Sequence, residues 1–186
     1  MKKHLNICVS GAADIEPCCK NIIELSKEVG REIANQGLIL LTGATTGVPY
    51  HSAVGCKEKN GVSIGFSPAS TEKEHVKSYK LPIDKFDLII YTGFNYAGRN
   101  LLLTRASDGV IIICGRTGTL NEFTVAFEDE KPIGVLEGTG GTADMIRGIL
   151  SQGYRPKGNV IFDENPKNLV TRLVKLINKK RDNYTK

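Results

Sequence analysis

The chain has 186 residues, of which 40% are hydrophobic and 24% charged, and its formal net charge is +5. This length suits one soluble domain, because a second full domain would leave both cores undersized. No apolar run approaches the ~20 residues that cross a bilayer, and residues 1–4 lead directly into a strand-like segment without a signal-peptide core. The sequence therefore predicts a cytoplasmic protein with a single domain over residues 1–186 and no membrane partner.

Predicted strands and helices alternate along the chain. The predicted strands are residues 5–10, 38–41, 62–66, 86–91, 110–113, 133–136 and 160–162. The predicted helices are residues 15–36, 48–59, 98–107, 120–129, a helix capped by Thr142 that reaches Leu150, and a last helix with Leu169, Val170, Leu173, Leu176 and Ile177 on one face. Residues 69–85 are polar and irregular, and their length suits a lid or a binding loop. This alternation predicts an α/β fold: a Rossmann-like, doubly wound, mainly parallel sheet of about seven strands with helices on both faces.

The positive charge is not gathered into one basic surface. Four basic residues lie near the C-terminus, where we expect a solvated, frayed tail from about residue 180. They are Lys179, Lys180, Arg181 and Lys186. Because no aromatic residues interleave with a basic patch, the sequence does not predict a nucleic-acid partner.

The five cysteines form no recognisable framework. They are Cys8, Cys18, Cys19, Cys56 and Cys114. No C-x-x-C spacing occurs, and the adjacent Cys18 and Cys19 are poor partners for each other. We therefore expect neither a metal site nor a disulfide framework, and most of these side chains are interpreted as small apolar groups that stay reduced.

Small or glycine-rich turns follow four of the predicted strands. They are residues 10–12, 42–47, 92–95 and 115–119. In a doubly wound sheet, ligands bind beyond the carboxyl ends of the strands. Glycine lets the backbone approach a ligand, and free N–H groups at a helix start favour an anion. Four such turns on one edge predict a cleft for a phosphate-bearing ligand, although a tight turn also needs glycine for steric reasons alone.

Three familiar templates do not fit these turns. The first turn lacks G-x-G-x-x-G and no acidic residue follows the second strand, which argues against an NAD site. The absence of G-x-x-x-x-G-K-[ST] argues against a P-loop NTPase. A cysteine phosphatase that used Cys114 would need an arginine where Leu120 stands.

The fourth turn carries the most specific pattern in the chain. The segment from Cys114 to Glu122, C-G-R-T-G-T-L-N-E, resembles the signature P-G-G-x-G-T-x-x-E of the LOG family. That family comprises cytokinin-activating nucleoside 5′-monophosphate phosphoribohydrolases and belongs to the wider SLOG superfamily. The resemblance extends over most of the chain. Residues 42–47 resemble the family's second glycine-rich turn, and residues 98–100 resemble its arginine-bearing helix upstream of the signature.

The resemblance implies an N-glycosidase that converts a nucleoside 5′-monophosphate, or a related ribosyl phosphate, to free base and ribose 5-phosphate. It implies that Arg99 and Glu122 carry catalysis, without a metal or an organic cofactor. The ligand-binding residues predicted from the turns and the resemblance together are Gly11, Gly43, Thr46, Gly47, Asn100, Gly115, Arg116, Thr117, Gly118 and Thr119. Since members of the family usually form dimers, a homodimer is expected by analogy.

Two positions depart from the signature. Cys114 stands in place of its proline, and Arg116 stands in place of its second glycine. A large cation in the loop either adds a phosphate contact or narrows the space for a nucleotide. The SLOG superfamily also contains a molybdenum-cofactor carrier and nucleotide-sensing domains. The alternative function is therefore a non-catalytic carrier or sensor of a phosphorylated nucleotide or molybdopterin-type ligand.

The charged candidates also have structural interpretations. Thr119 and Glu122 fit a capping box, in which both side chains satisfy N–H groups at a helix start. Arg99 is also a candidate ion-pair partner for Asp108. Arg116 is equally compatible with an exposed turn.

Two histidines are weaker candidates for a general acid. His51 lies four residues into a predicted helix, and His75 lies in the polar segment 69–85. Packed or solvated histidines are the more common outcome at such positions. We therefore assign neither histidine to the site.

Overall fold

The structure, a computed structural model, describes residues 4–153 and 158–184. Its strands are β1 (Asn6–Gly11), β2 (Ile39–Thr42), β3 (Val62–Ser67), β4 (Leu88–Tyr91), β5 (Gly109–Ile113), β6 (Ile133–Leu136) and β7 (Val160–Asp163). Its helices are α1 (Ile22–Asn35), α2 (Val48–Glu58), α3 (Glu72–Lys77), α4 (Asn95–Ala106), α5 (Thr117–Glu128), α6 (Gly141–Gln152) and α7 (Pro166–Tyr184). The predicted alternation of strand and helix is confirmed.

All seven strands pair in parallel in one sheet, in the order β4-β3-β2-β1-β5-β6-β7. The chain builds the sheet outward from β1 in one direction and then returns to add β5, β6 and β7 on the other side. The order therefore reverses between β1 and β5, which is where an open α/β sheet forms its ligand crevice. The Rossmann-like α/β fold predicted from the sequence is confirmed.

Two apolar layers cover the two faces of the sheet. One layer packs α1, α2 and α7 against the sheet, and the other packs α4, α5 and α6 against it. The alternation along β1 divides its side chains between them, since Ile7 and Val9 enter the first layer and Cys8 enters the second. The central strand β5 is buried along its whole length, as expected for a parallel strand covered on both faces.

The first helix begins later than predicted. The apolar spacing predicted a helix from Ile15, but α1 begins only at Ile22. Pro17 disfavours helical backbone at the preceding residue, and Cys18 forms an isolated bridge with Gly140 instead. Residues 12–21 are therefore a loop, which we call the 12–21 loop, leading from the end of β1 to α1.

The segment 69–85 contains a helix that the prediction of irregular structure missed. Helix α3 begins after Thr71, whose side chain accepts a hydrogen bond from the Glu74 N–H at 3.2 Å. His75 is buried beneath this segment, with Nδ1 2.8 Å from Ser67 Oγ and Nε2 3.1 Å from the Pro82 carbonyl oxygen. These contacts fix the segment to the end of β3, so His75 has a structural role there.

The last helix extends into the segment predicted as a frayed tail. Helix α7 continues through Tyr184, and Arg181 Nη2 donates to Asp108 Oδ1 at 2.6 Å. Lys186, like residues 1–3, lies outside the described residues. None of the helices in the described part of the chain is long and apolar enough to cross a membrane.

The expectation that the cysteines form no disulfide framework was wrong for one pair. Cys18 and Cys114 are bonded to each other, whereas Cys8, Cys19 and Cys56 are free. The partners are 96 residues apart in sequence, so their spacing gives no local signal. They meet because β1 and β5 are neighbours, which brings the 12–21 loop beside the end of β5.

Candidate functional site

A cleft of about 640 Å³ opens beyond the carboxyl ends of β1 and β5. Its walls come from three of the four predicted turns: residues 10–13, residues 43 and 45, and residues 116–119. The third predicted turn, residues 92–95, does not line it, but Tyr96 in the first turn of α4 does. The volume lies within the roughly 300–1,000 Å³ of small-molecule sites.

A buried ion pair lies at the floor of this cleft. Arg99 Nη1 donates to Glu122 Oε1 at 3.1 Å, and only 6% and 7% of the two side chains are exposed. The hydroxyl of Ser10 donates to the other carboxylate oxygen, Oε2. Arg99 comes from α4, Glu122 from α5 and Ser10 from the end of β1, so three elements converge on one carboxylate.

The second glycine-rich turn makes room for the guanidinium. A Cβ on Gly43 would come within 2.4 Å of Arg99 Nη1, so only glycine allows the Arg99 side chain to take this position. Arg99 Nε is buried and has no hydrogen-bond partner among the described residues. A buried donor without a partner is costly, and this one belongs to a side chain that lines the cleft.

Burial raises the pKa of Glu122 above its ordinary value. The Arg99 charge and the Ser10 hydrogen bond both lower that pKa, but burial has the larger effect. The same carboxylate acts on its neighbour Cys8, whose thiol pKa is raised first by burial and then by the Glu122 charge. The carboxyl group of Glu122 therefore binds a proton more tightly than an exposed glutamate does.

The capping-box interpretation of Glu122 was wrong. Helix α5 begins at Thr117, after Arg116, and its start has no side-chain cap among the described residues. Glu122 instead turns toward Ser10 and Arg99. The alternative partner suggested for Arg99 is also excluded, because the Asp108 carboxylate accepts from Arg181 and from the Asn6 N–H.

The fourth predicted turn, residues 115–119, is called the phosphate loop after the prediction made from the sequence, and the start of α6 holds it in place. Gly115 has φ +99°, and a Cβ there would lie 2.5 Å from the Thr119 side chain. Thr142 was predicted to cap α6, but its hydroxyl donates to the Arg116 carbonyl oxygen at 2.9 Å, and its N–H donates to the Gly115 carbonyl oxygen at 3.0 Å. Helix α5 begins within this loop, at Thr117, and the start of a helix has free backbone N–H groups that favour an anion.

Nine of the predicted site residues line the cleft. They are Gly11, Gly43, Arg99, Asn100, Arg116, Thr117, Gly118, Thr119 and Glu122. The other three, Thr46, Gly47 and Gly115, shape its turns without lining it. Thr46 Oγ1 donates to the Ala13 carbonyl oxygen at 2.9 Å, and a Cβ on Gly47 would meet the Ala12 carbonyl oxygen at 2.3 Å.

Arg116 lies at the mouth of the cleft, where 57% of its side chain is exposed. Its Nη1 is 3.2 Å from Asp14 Oδ2, across the opening between the 12–21 loop and the phosphate loop. Asp14 is more than half exposed as well. The ion pair is therefore in contact with solvent, where it contributes little to stability.

Two residues of this site escaped the sequence analysis. Asp14 lies between the first predicted turn, residues 10–12, and the predicted helix 15–36, and nothing in its spacing points to Arg116. Ser10 did carry a signal, since it lies two residues after Cys8 and therefore on the same face of β1, the face covered by α5. A buried hydroxyl at that position needs a partner, and Glu122 provides one.

The other weak candidates lie elsewhere. His51 does not line the cleft; burial lowers its pKa, and its Nδ1 is buried without a partner in the described chain. In residues 4–153 and 158–184, no group of three or more His, Cys, Asp or Glu side chains is arranged to hold a metal ion.

The profile of the SLOG cluster4 family matches residues 4–170, which span the sheet and the first residues of α7. The chain belongs to the SLOG cluster4 family. The matched region contains every residue that lines the cleft.

Relatives of this SLOG protein include one sequence and two solved structures. It is 30% identical over 135 residues to an uncharacterized protein from Archaeoglobus fulgidus, covering 73% of this chain and 82% of that one. The molybdenum cofactor binding protein from Rippkaea orientalis is 27% identical, with a TM-score of 0.78 and coverage of 95% of this chain and 99% of that one. The Moco carrier protein from Chlamydomonas reinhardtii is 26% identical, with a TM-score of 0.77 and coverage of 95% and 99%.

Proposed function

We propose that this SLOG protein hydrolyses the N-glycosidic bond of a nucleoside 5′-monophosphate or a related ribosyl phosphate. The observation that carries the proposal is the buried Arg99–Glu122 pair at the floor of the cleft. A buried ion pair is expensive to desolvate and rarely repays that cost in stability. Its position beside the cleft, rather than inside the apolar layers, favours a role toward a ligand.

Glu122 is the residue proposed to act on the ribose. Breaking an N-ribosyl bond builds positive, oxocarbenium-like charge on the sugar as the base departs. A carboxylate at the cleft floor either stabilises that charge or accepts the proton of the attacking water. The position of the carboxylate at the cleft floor supports the second role, and burial, which raises the pKa of Glu122, makes it a stronger base than an exposed glutamate.

The phosphate is proposed to bind at the start of α5. Thr117, Gly118 and Thr119 bring backbone N–H groups to the cleft wall, and the helix dipole favours an anion there. Arg116 adds a charge at the mouth. The unpartnered Nε of Arg99 offers a further donor to a phosphate or a ribose hydroxyl.

A second candidate, a non-catalytic carrier or sensor, is favoured by two observations. The similarity to the Rippkaea orientalis and Chlamydomonas reinhardtii proteins extends over nearly the whole of each chain. The loop also departs from the hydrolase signature at Cys114 and Arg116. In this alternative, the same cleft holds a phosphorylated nucleotide or a molybdopterin-type ligand without turnover.

The deciding experiment measures the release of ribose 5-phosphate and free base from a panel of nucleoside 5′-monophosphates. Glu122→Gln removes the charge and the basicity while keeping the shape of the side chain. Glu128→Gln, the same change at an exposed position of α5, is the matched control. We expect turnover by the wild type and the control, and a loss of about 100-fold or more in Glu122→Gln, the scale of general acid–base catalysis.

The same panel also separates the two candidates. Thermal stabilisation by a nucleotide, without product release by the wild type, would reject the hydrolase and support the carrier or sensor. A Glu122→Gln variant that turned over as fast as the control would remove Glu122 from the mechanism. Urea unfolding of each variant confirms that any loss of activity occurs in folded protein.

A further inference from the structure

The two residues that depart from the family signature both contact the same segment of the chain. Cys114 is bonded to Cys18, and Arg116 pairs with Asp14. Cys18 and Asp14 both belong to the 12–21 loop. The two substituted positions therefore connect that loop covalently to Cys114, directly before the phosphate loop, and by charge to Arg116 within it.

The 12–21 loop forms part of the cleft. Its first two residues, Ala12 and Ala13, line the cavity opposite the phosphate loop. Between them and α1 the loop has little regular structure, and its described backbone contacts include Cys19 N–H to the Thr139 carbonyl oxygen at 3.1 Å and the bridge between Cys18 and Gly140. The Asp14–Arg116 pair is solvent-exposed and weak. Ala12 and Ala13 accept hydrogen bonds from the Val48 N–H and the Thr46 hydroxyl, each at 2.9 Å. The disulfide is the covalent connection between the rest of the 12–21 loop and the end of β5.

We propose that the Cys18–Cys114 disulfide is a redox-controlled clasp that sets the affinity of the cleft for its phosphorylated ligand. The oxidised protein holds the 12–21 loop against the end of β5 and preserves the cleft between the two loops. Reduction frees the 12–21 loop and weakens ligand binding. The affinity part of this proposal rests on the ligand class given under the proposed function, whereas the clasp itself does not.

The reductant that fits this bond is a dithiol. Cys114 is fully buried and Cys18 is partly exposed, so a thiolate of the dithiol attacks Cys18 Sγ. The bond between the two Sγ atoms breaks, and Cys114 leaves as a thiolate that takes up a proton. The second thiol of the reductant then displaces Cys18 as a thiol and closes the reductant's own disulfide. Two electrons pass from the dithiol to the protein, which gains two thiols.

The first test uses the protein without ligand. Thiol titration in denaturant should count three thiols per chain after mild oxidation and five after treatment with dithiothreitol. Hydrogen exchange should then be faster in residues 12–21 and 114–119 of the reduced protein, and of Cys18→Ser, while β3 stays unchanged. Five thiols after oxidation, or identical exchange in both states, would overturn the clasp.

The second test measures binding of adenosine 5′-monophosphate and inorganic phosphate by calorimetry. We expect the dissociation constant to rise roughly 5-fold or more on reduction, within the usual range for coupled sites. Cys18→Ser should bind weakly in both redox states. Cys19→Ser, the same change at the adjacent free cysteine, should retain the full redox effect.

The outcomes separate this proposal from the proposed function. Equal affinity in the two redox states would overturn the control of binding. Failure of both probes to bind in either state would contradict the proposed ligand class and, with it, the affinity part of the proposal. The hydrogen-exchange result would still decide whether the disulfide clasps the two loops.

Discussion

Each oxygen of the Glu122 carboxylate accepts a hydrogen bond, and both bonds favour the ionised form that burial disfavours. Ser10 donates to one oxygen and Arg99 to the other, and both lower the pKa that burial raises. Because the pKa of this carboxyl is raised in the folded state, its ionised form costs stability. Its contribution to the free energy of unfolding is therefore largest in acid and falls as pH rises toward the folded pKa.

We predict that Ser10→Ala raises the pKa of Glu122 further. The variant removes a hydrogen bond to the charged form and leaves the burial in place. The acid limb of any activity that needs ionised Glu122 should then move to higher pH. Carbon-13 NMR titration of the glutamate carboxyls measures this shift whether or not the protein turns over a substrate. Ser151→Ala, an exposed serine on α6, is the control, and a Glu122 titration unchanged by Ser10→Ala would contradict the hydrogen bond.

Asp14 is predicted to compete with the ligand for Arg116. Asp14→Asn should tighten the binding of inorganic phosphate by about 1.5- to 5-fold, the equivalent of the 0.2–1 kcal/mol of an exposed ion pair. Arg116→Ala should weaken the same binding. In the Arg116→Ala background, Asp14→Asn should have no further effect. An equal gain in both backgrounds would mean that Asp14 acts on the ligand directly.

At the scale of elements, α1 and α2 cross so closely that each presents a glycine to the other's backbone. A Cβ on Gly30 would lie 2.0 Å from the Ser52 carbonyl oxygen, and one on Gly55 would lie 2.0 Å from the Lys27 carbonyl oxygen. Backbone atoms cannot move aside as a flexible side chain can. The crossing positions α2, whose first turn contributes Pro49 to the cleft.

We predict that Gly30→Ala destabilises the protein by about 1–3 kcal/mol, the usual cost of overpacking. Gly148→Ala is the matched control, since Gly148 is exposed within α6 and a Cβ there meets no atom within 4 Å. That control should stabilise the protein by about 0.5–1 kcal/mol, because alanine is the better helix former. Urea unfolding measures both, and a stabilising Gly30→Ala would show that the two helices separate at low cost.

The elements were also the level at which the sequence was most informative. Hydrophobic periodicity predicted all seven strands, because the apolar residues that bury a strand lie within the strand itself. The start of α1 and the existence of α3 were missed, since the bridge at Cys18 and the burial of His75 depend on distant segments. The disulfide and the Ser10–Glu122 bond join residues 96 and 112 positions apart. Such contacts can be predicted only when the strand order, which brings β1 beside β5, is known.

At the scale of the whole molecule, several large apolar side chains are exposed on β4 and around α4. The pairing register places Leu88 and Ile90 of β4 beside Ile64 and Phe66 of β3, on the face of the sheet that α4 packs against. The side chains exposed on β4 and around α4, which we call the α4 surface, are Leu88, Ile90, Phe94, Tyr96, Leu101 and Leu102. Large exposed apolar patches commonly mark an interface.

A second copy of the chain is the occupant that we predict for the α4 surface, as the resemblance to dimeric proteins implied. Tyr96 belongs both to this surface and to the cleft, so a partner seated there would stand beside the ligand. Leu102→Asp should give a monomer in sedimentation velocity at micromolar concentration, because it buries a charge in the contact. Met145→Asp, at an exposed apolar residue of α6, should leave the dimer intact. A wild-type protein that sediments as a monomer at this concentration would reject the dimer. A different partner would then have to cover the α4 surface.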